Sequence, residues 1–197
     1  MQTPSHFLIT AVLVHKTPHR RKIHTTALLI GSILPDLPLL LLTVAYEIYY
    51  RWLATPPTDS SIMEYLHFDL FFNDPVWIVS HNFFHSLVIN LLLLGVGYWG
   101  MQREWQWARL LVWVCIGTLF HTLIDIFTHH SDGPLLFIPI NWNYRFASPV
   151  SYWQGVYYGR AFTIFEYTLD VLLIAYFVWV WRKRLHTSAP QAPEGKS

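Results

Sequence analysis

The sequence predicts an all-α, polytopic membrane helical bundle, and three observations carry that expectation. Of its 197 residues 53% are hydrophobic and 13% charged, and that charged share is about half of what a soluble domain carries. Four apolar stretches, 24–50, 83–100, 107–128 and 160–181, meet the ~20 residues that a helix needs to cross a bilayer core. Trp105, Trp107, Trp142 and Trp153 border the third stretch, as residues of an interfacial aromatic belt do. The expected organisation is one membrane-embedded helical domain over residues 1–186 with about four full transmembrane helices, followed by a tail, 187–197. The tail's Ser, Ala, Pro, Gln and Gly read as disordered. No internal repeat is found.

The run 6–14 is apolar but too short to span alone. It lacks the basic start and small-residue cleavage site of a signal peptide. It is expected to be retained as a short N-terminal helix, either interfacial or a half-helix packed inside the bundle.

Lys and Arg near helix ends resist translocation, so their distribution sets the orientation. Lys16, Arg20, Arg21 and Lys22 precede the first stretch, Arg103 lies between the second and third, and Arg182, Lys183 and Arg184 follow the fourth. The opposite side holds Arg51, Arg145 and Arg160 together with Asp59, Glu64, Asp69 and Asp74. The 16–22 loop and the C-terminus are therefore expected in the cytoplasm, with the two longer loops outside. A net charge of +1 gives no basis for a nucleic-acid partner. The basic residues read as topology determinants and contacts to anionic membrane lipid.

An ionisable side chain at the bilayer centre costs about 2.5 kcal/mol or more, so each such residue marks a function or an internal pair. Asp36 stands between Pro35 and Pro38 inside the first stretch, where two prolines remove helix N–H donors and break or kink the helix. A break turns the carboxylate toward the bundle. The alternative is that Asp36 is an ordinary N-cap of the second half, which can hold alongside metal binding.

The second stretch opens with His81-Asn82-Phe83-Phe84-His85-Ser86, and the third ends with His121-Thr122-Leu123-Ile124-Asp125, then His129 and His130. Residues four apart share a helix face with their side chains about 5–6 Å apart, so two can reach one ion. His81 with His85, His121 with Asp125, and Asp125 with His129 all have that spacing. The only cysteine, Cys115, lies mid-span, so a thiolate site and an intrachain disulfide are both excluded. The ligand set of imidazole and carboxylate points to a divalent ion, zinc first, or a pair of divalent ions. Glu166 and Asp170, again four apart in the fourth stretch, have two readings. Glu166 is a ligand or a general base, or else the two pair with Arg160 or hydrogen-bond within the bundle. His6 follows Thr3, Pro4 and Ser5, of which Thr3 or Ser5 suits a helix cap. His15, His19, His24 and His186 read as solvated.

Ser5-His6-Phe7-Leu8, Leu34-Pro35-Asp36, the segment from His81 to Ser86, and His121-Thr122-Leu123-Ile124-Asp125 with Thr128 and Pro139 occur in the order of a known pattern. Over about the first 140 residues the chain resembles the membrane-bound, metal-dependent hydrolases that include the LexA-binding, inner-membrane-associated hydrolases of bacteria. In that family the two histidines of the second segment are five apart and a Gly lies between them. Here they are four apart with no Gly, so the correspondence rests on His85-Ser86. The resemblance implies a location in the bacterial inner membrane and a metal site built from His6, Asp36, His85, His121 and Asp125.

Together these readings give the expectation of a membrane-embedded, metal-dependent hydrolase of a phosphoester or amide, its substrate a small molecule or a lipid. His6, Asp36, His81, His85, His121, Asp125 and His129 are the candidate ligands, and Asp36 and Glu166 the candidate catalytic carboxylates. The competing readings are a proton or divalent-metal transporter or channel, in which a broken helix and a His relay form the path, and a non-catalytic regulatory protein whose polar cluster holds helices together.

Overall fold

The computed structural model describes residues 1–18, 22–57 and 59–187, for 186 and 187 the backbone alone. His19, Arg20 and Arg21 of the basic loop, the His186 side chain and residues 188–197 of the expected disordered tail lie outside the described residues.

The chain is all-helical. Helices α1 (Thr3–Lys16), α2 (Thr25–Gly31) and α3 (Leu37–Trp52) are followed by α4 (Ile62–Glu64), which runs through a π-helical stretch, Tyr65–Leu70, into α5 (Phe71–Asn73). Then come α6 (Pro75–Asn82), α7 (Leu87–Gln102), α8 (Ala108–Thr128) and α9 (Gly159–Thr187). Among the described residues two helices are long and apolar enough to cross a membrane, Ala108–Thr128 and Gly159–Leu185; α6 and α7, bent by 51°, make a third if they form one broken span. The first expected stretch is not one helix. Residues 32–36 separate α2 from α3, with Pro35 in the break and Pro38 in the first turn of α3.

The second expected stretch begins earlier than its apolar run implies. Asp74 accepts from the backbone N–H groups of Val76 (2.8 Å) and Trp77 (3.2 Å), and with Pro75 behind it starts α6. The chain then breaks over 83–86, and side chains satisfy the freed backbone. The Ser86 hydroxyl caps α7 by accepting from Ile89 N (3.2 Å) and donates to the Ile138 carbonyl (2.5 Å). Asn90 donates to the carbonyls of Phe84 (2.5 Å) and Ser86 (2.9 Å). Asn82 accepts from Leu135 N at 2.5 Å. The loop after α8 is thereby docked onto the break, which is how irregular backbone persists inside a bundle.

Helices α2 and α8 cross with their backbones in contact. A Cβ on Gly31 would meet the Val114 carbonyl oxygen, and one on Gly117 the Leu28 carbonyl oxygen, so only glycine permits this approach. Along α1 and α9 the contacts are polar: Gln2 N donates to Glu166 (2.6 Å), the Ser5 hydroxyl to Asp170 (2.9 Å), and His15 Nδ1 lies 2.7 Å from the Tyr176 hydroxyl. These contacts run in the same chain direction on both helices, so α1 and α9 lie parallel, and α1 is packed into the bundle. His15, expected to be solvated, is instead half-buried against Tyr176. The buried set is rich in polar residues, among them Ser5, His6, Ser32, His85, Asn90, Thr118, His121, Asp125 and Glu166, while Leu41, Leu92, Ile164, Val171 and Leu172 are exposed. That inverted distribution suits a chain whose surroundings are lipid.

Candidate metal centre

The two helix breaks and the end of α8 converge. Asp36 sits at the close of the first break, where it occupies the N-cap position of α3 without making a capping hydrogen bond. His85 lies in the second break. His121 and Asp125, one turn apart on α8, face both. One oxygen or nitrogen from each of these four residues lies within 4.8 Å of the other three, and the three on the second break and α8 are buried.

The spacing fits an ion. His121 Nε2 lies 2.9 Å from Asp125 Oδ2 and 3.3 Å from Asp36 Oδ1. His85 Nε2 is 3.3 Å from Asp125 Oδ2, 3.7 Å from Asp36 Oδ1 and 3.2 Å from His121 Nε2. A tetrahedral ion bound at about 2.0–2.2 Å holds neighbouring ligand atoms about 3.3–3.6 Å apart, in the middle of these distances.

Tautomers sharpen the case. His85 Nδ1 lies 2.6 Å from the His81 carbonyl and His121 Nδ1 2.8 Å from the Ser32 carbonyl. A carbonyl only accepts, so each Nδ1 carries the hydrogen, and in the neutral rings both Nε2 atoms present lone pairs. Two lone pairs 3.2 Å apart, beside two carboxylates, repel one another unless a cation lies between them or one ring takes a second proton. Backbone acceptors behind ligating histidines are the usual means of orienting them.

The remaining expected ligands are placed as follows. His6, fully buried on α1, puts Nε2 3.0 Å from Asp125 Oδ1 and stacks on the His121 ring, with centroids 3.7 Å apart. The amino group of Met1 lies 3.1 Å from the same Oδ1 and 2.8 Å from the Thr128 hydroxyl. His129 Nδ1 is 3.6 Å from Oδ1 and 3.1 Å from the Asp125 carbonyl. His81 stands off the four-residue cluster, between Phe71 and the His85 ring, and neither of its ring nitrogens has a hydrogen-bond partner. Glu166 and Asp170 are turned to α1, and Glu166 is buried against the Gln2 backbone.

A cavity of about 760 Å³ reaches the cluster. Asp36, His81, Asp125 and His129 line it, together with the apolar Leu39, Leu40, Met63, Phe68, Phe71 and Phe72 and the polar Glu64, His67, Ser131, Asp132 and Gln154. Tyr152 also lines it, its ring 4.7 Å from that of His129. Burial, with the nearby carboxylates adding to it, pushes the Tyr152 phenol above its ordinary range, so the hydroxyl keeps its proton at neutral pH. Burial also lowers the Arg145 guanidinium, against the pull of Asp132; that side chain lies over Phe71 and Phe72 and donates to the Gly133 carbonyl.

Sequence reasoning did not identify Tyr152 or the role of Thr3. Neither Thr3 nor Ser5 caps α1, whose N-cap is Gln2 with no side-chain bond. The Thr3 hydroxyl instead donates to Asp36 Oδ2 at 2.5 Å. Its spacing of three from His6 was the available signal, since it places both on one face of α1.

A family model described as YdjM inner membrane protein matches residues 1–187. The chain belongs to the YdjM inner membrane protein family. No curated protein and no solved structure matches it. For a YdjM-family chain, membrane location thus rests on the family and the apolar helices, and a buried His/Asp cluster able to hold a metal ion rests on the geometry.

Proposed function

We propose that this YdjM-family protein is a membrane-embedded, metal-dependent hydrolase acting on a phosphoester or amide, in a lipid or a small amphiphile. The observation that carries the reading is the pair of Nε2 atoms and two carboxylates converging at ion-ligand spacing where a largely apolar cavity ends. His85, His121, Asp125 and Asp36 would hold the ion, zinc by the preference of this donor set. Such an ion lowers the pKa of a bound water toward neutrality and polarises the scissile bond.

The chain's own residues do the rest. The apolar wall from Leu39 to Phe72 receives a hydrocarbon portion and excludes bulk water. Asp36, whose Oδ2 is held by Thr3, lies on the cavity wall and takes the proton of the attacking water. The water oxygen bonds to phosphorus or the carbonyl carbon, the ester or amide bond breaks, and the proton leaves on the departing group. Glu166, turned to α1, acts by holding that helix and with it His6.

In this reading the chain crosses the membrane four times, α2–α3 and α6–α7 each forming one broken crossing beside α8 and α9. The C-terminus is cytoplasmic and the cavity opens outward. A second reading, ion or proton movement, is favoured by one observation. Thr10, Glu166 and Asp170, on the facing helices α1 and α9, each keep a buried polar atom without a hydrogen-bond partner. Purified protein assayed in detergent for hydrolysis of lipid phosphoesters and amides, and in liposomes for ion flux, separates the two. Metal-dependent turnover supports the hydrolase; flux with no turnover of either substrate class rejects it.

A further inference from the structure

Asp125 presents its two oxygens to two different sets of groups. Oδ2 faces His121 Nε2 at 2.9 Å and His85 Nε2 at 3.3 Å. Oδ1 faces His6 Nε2 at 3.0 Å and His129 Nδ1 at 3.6 Å. The rings of His6 and His121 lie face to face, inclined by only 19°, and each Nε2 is directed at a different oxygen of the same carboxylate. His121 and His129 of the α8 region, His85 of the second break and His6 of α1 thus divide about a single side chain.

From this we infer that Asp125 bridges two divalent ions: a first bound by Asp36, His85, His121 and Oδ2, and a second bound by Oδ1 and His6, beside His129, whose Nδ1 hydrogen goes to the Asp125 carbonyl. The inference rests on the metal-centre reading above and extends it. Its physical basis is the ligand count. The four-residue cluster already supplies as many protein ligands as an ion with a bound water takes, so His6 and His129 are surplus to it. A fully buried imidazole that is surplus to one ion, yet aimed at a carboxylate oxygen that the ion does not use, is accounted for by a second ion. Paired ions about 3.5–4 Å apart serve hydrolysis by holding the attacking and leaving oxygens together, and a carboxylate spans that separation. The Met1 amino group, between Oδ1 and Thr128, lies where the second ion would bind and is its competitor for Oδ1.

The test is metal stoichiometry of the full chain, purified in detergent and equilibrated with Mn(II) or Zn(II). Elemental analysis is expected to give two ions per chain at saturation, and the Mn(II) form an exchange-coupled paramagnetic resonance signal. His6→Ala should lower the content from two ions to one and abolish the coupling, whereas Asp125→Asn should lower the content further. A wild-type protein that saturates at one uncoupled ion overturns the bridge while leaving the metal centre in place. A wild-type protein that binds none overturns both. The wild-type resonance measurement needs no variant, so a His6→Ala protein that fails to fold does not remove the test.

Discussion

His121 Nε2 lies 2.9 Å from Asp125 Oδ2, one turn further along α8, while its Nδ1 donates to the carbonyl of Ser32 at the first helix break. One ring therefore joins the metal cluster, the α8 face and the close crossing of α2 with α8. His121→Ala and Asp125→Ala are each expected to reduce bound metal below wild type and to lower stability. The size should be about 1–3 kcal/mol for each buried group left without a partner, and more for a carboxylate. Metal content and thermal unfolding in detergent, measured on the same preparations, check this. A full complement of metal in both variants would reduce the cluster to a hydrogen-bonded polar core.

Gly117→Ala tests whether the crossing positions the site. The added Cβ meets the Leu28 carbonyl oxygen and the Gly31 backbone, neither of which can move as a side-chain tip would. Overpacking of this kind costs about 1–3 kcal/mol. It also shifts Ser32, the acceptor behind His121, so metal affinity should fall by about 10- to 100-fold, as it does when the groups behind metal ligands are disturbed. Gly95→Ala is the control, since nothing lies within 4 Å of a Cβ there. Metal titrations of the two variants are expected to separate them.

The pairing of His121 with Asp125 was legible in the sequence because a helix fixes what lies one turn away, and the break at Asp36 because proline chemistry is local. The bend between α6 and α7 was only half legible. The Asp74-Pro75 start was present as a capping signal, but the apolar run alone placed the beginning at 83. His6 could be joined to the cluster only through the family resemblance, since its position depends on α1 folding into the bundle beside α9. The Ser32 and His81 carbonyls could not be read at all, because a backbone acceptor leaves no mark on side-chain identity. The contact of Gly31 with Gly117 joins residues far apart in the chain, and neither segment alone specifies the other.

Reporter fusions test the orientation that the basic residues imply. A reporter active only in the cytoplasm is expected to work when fused after Arg184, and one active only outside is expected to work in the loop 141–147. Activity of the external reporter after Arg184 would invert the topology and put the cavity on the cytoplasmic side.

Glu166 offers the last distinction, between a carboxylate that positions and one that acts on water. Its Oε1 accepts from the Gln2 backbone at 2.6 Å, and the residue is 1% exposed, so it is held against the start of the helix that carries Thr3 and His6. Glutamine keeps an acceptor oxygen at nearly the same place, whereas alanine removes it and leaves the Gln2 N–H without its partner, at a cost of about 1–3 kcal/mol. If Glu166 positions α1, Glu166→Gln should keep metal and most turnover, while Glu166→Ala should lose metal affinity by about 10- to 100-fold as His6 and Thr3 come loose. A general base behaves differently, because glutamine cannot take a proton. Glu166→Gln would then lose about 10²- to 10⁴-fold in turnover with metal content unchanged. Measuring turnover and bound metal on both variants decides the matter, and full metal with lost turnover in Glu166→Gln would transfer the base from Asp36 to Glu166.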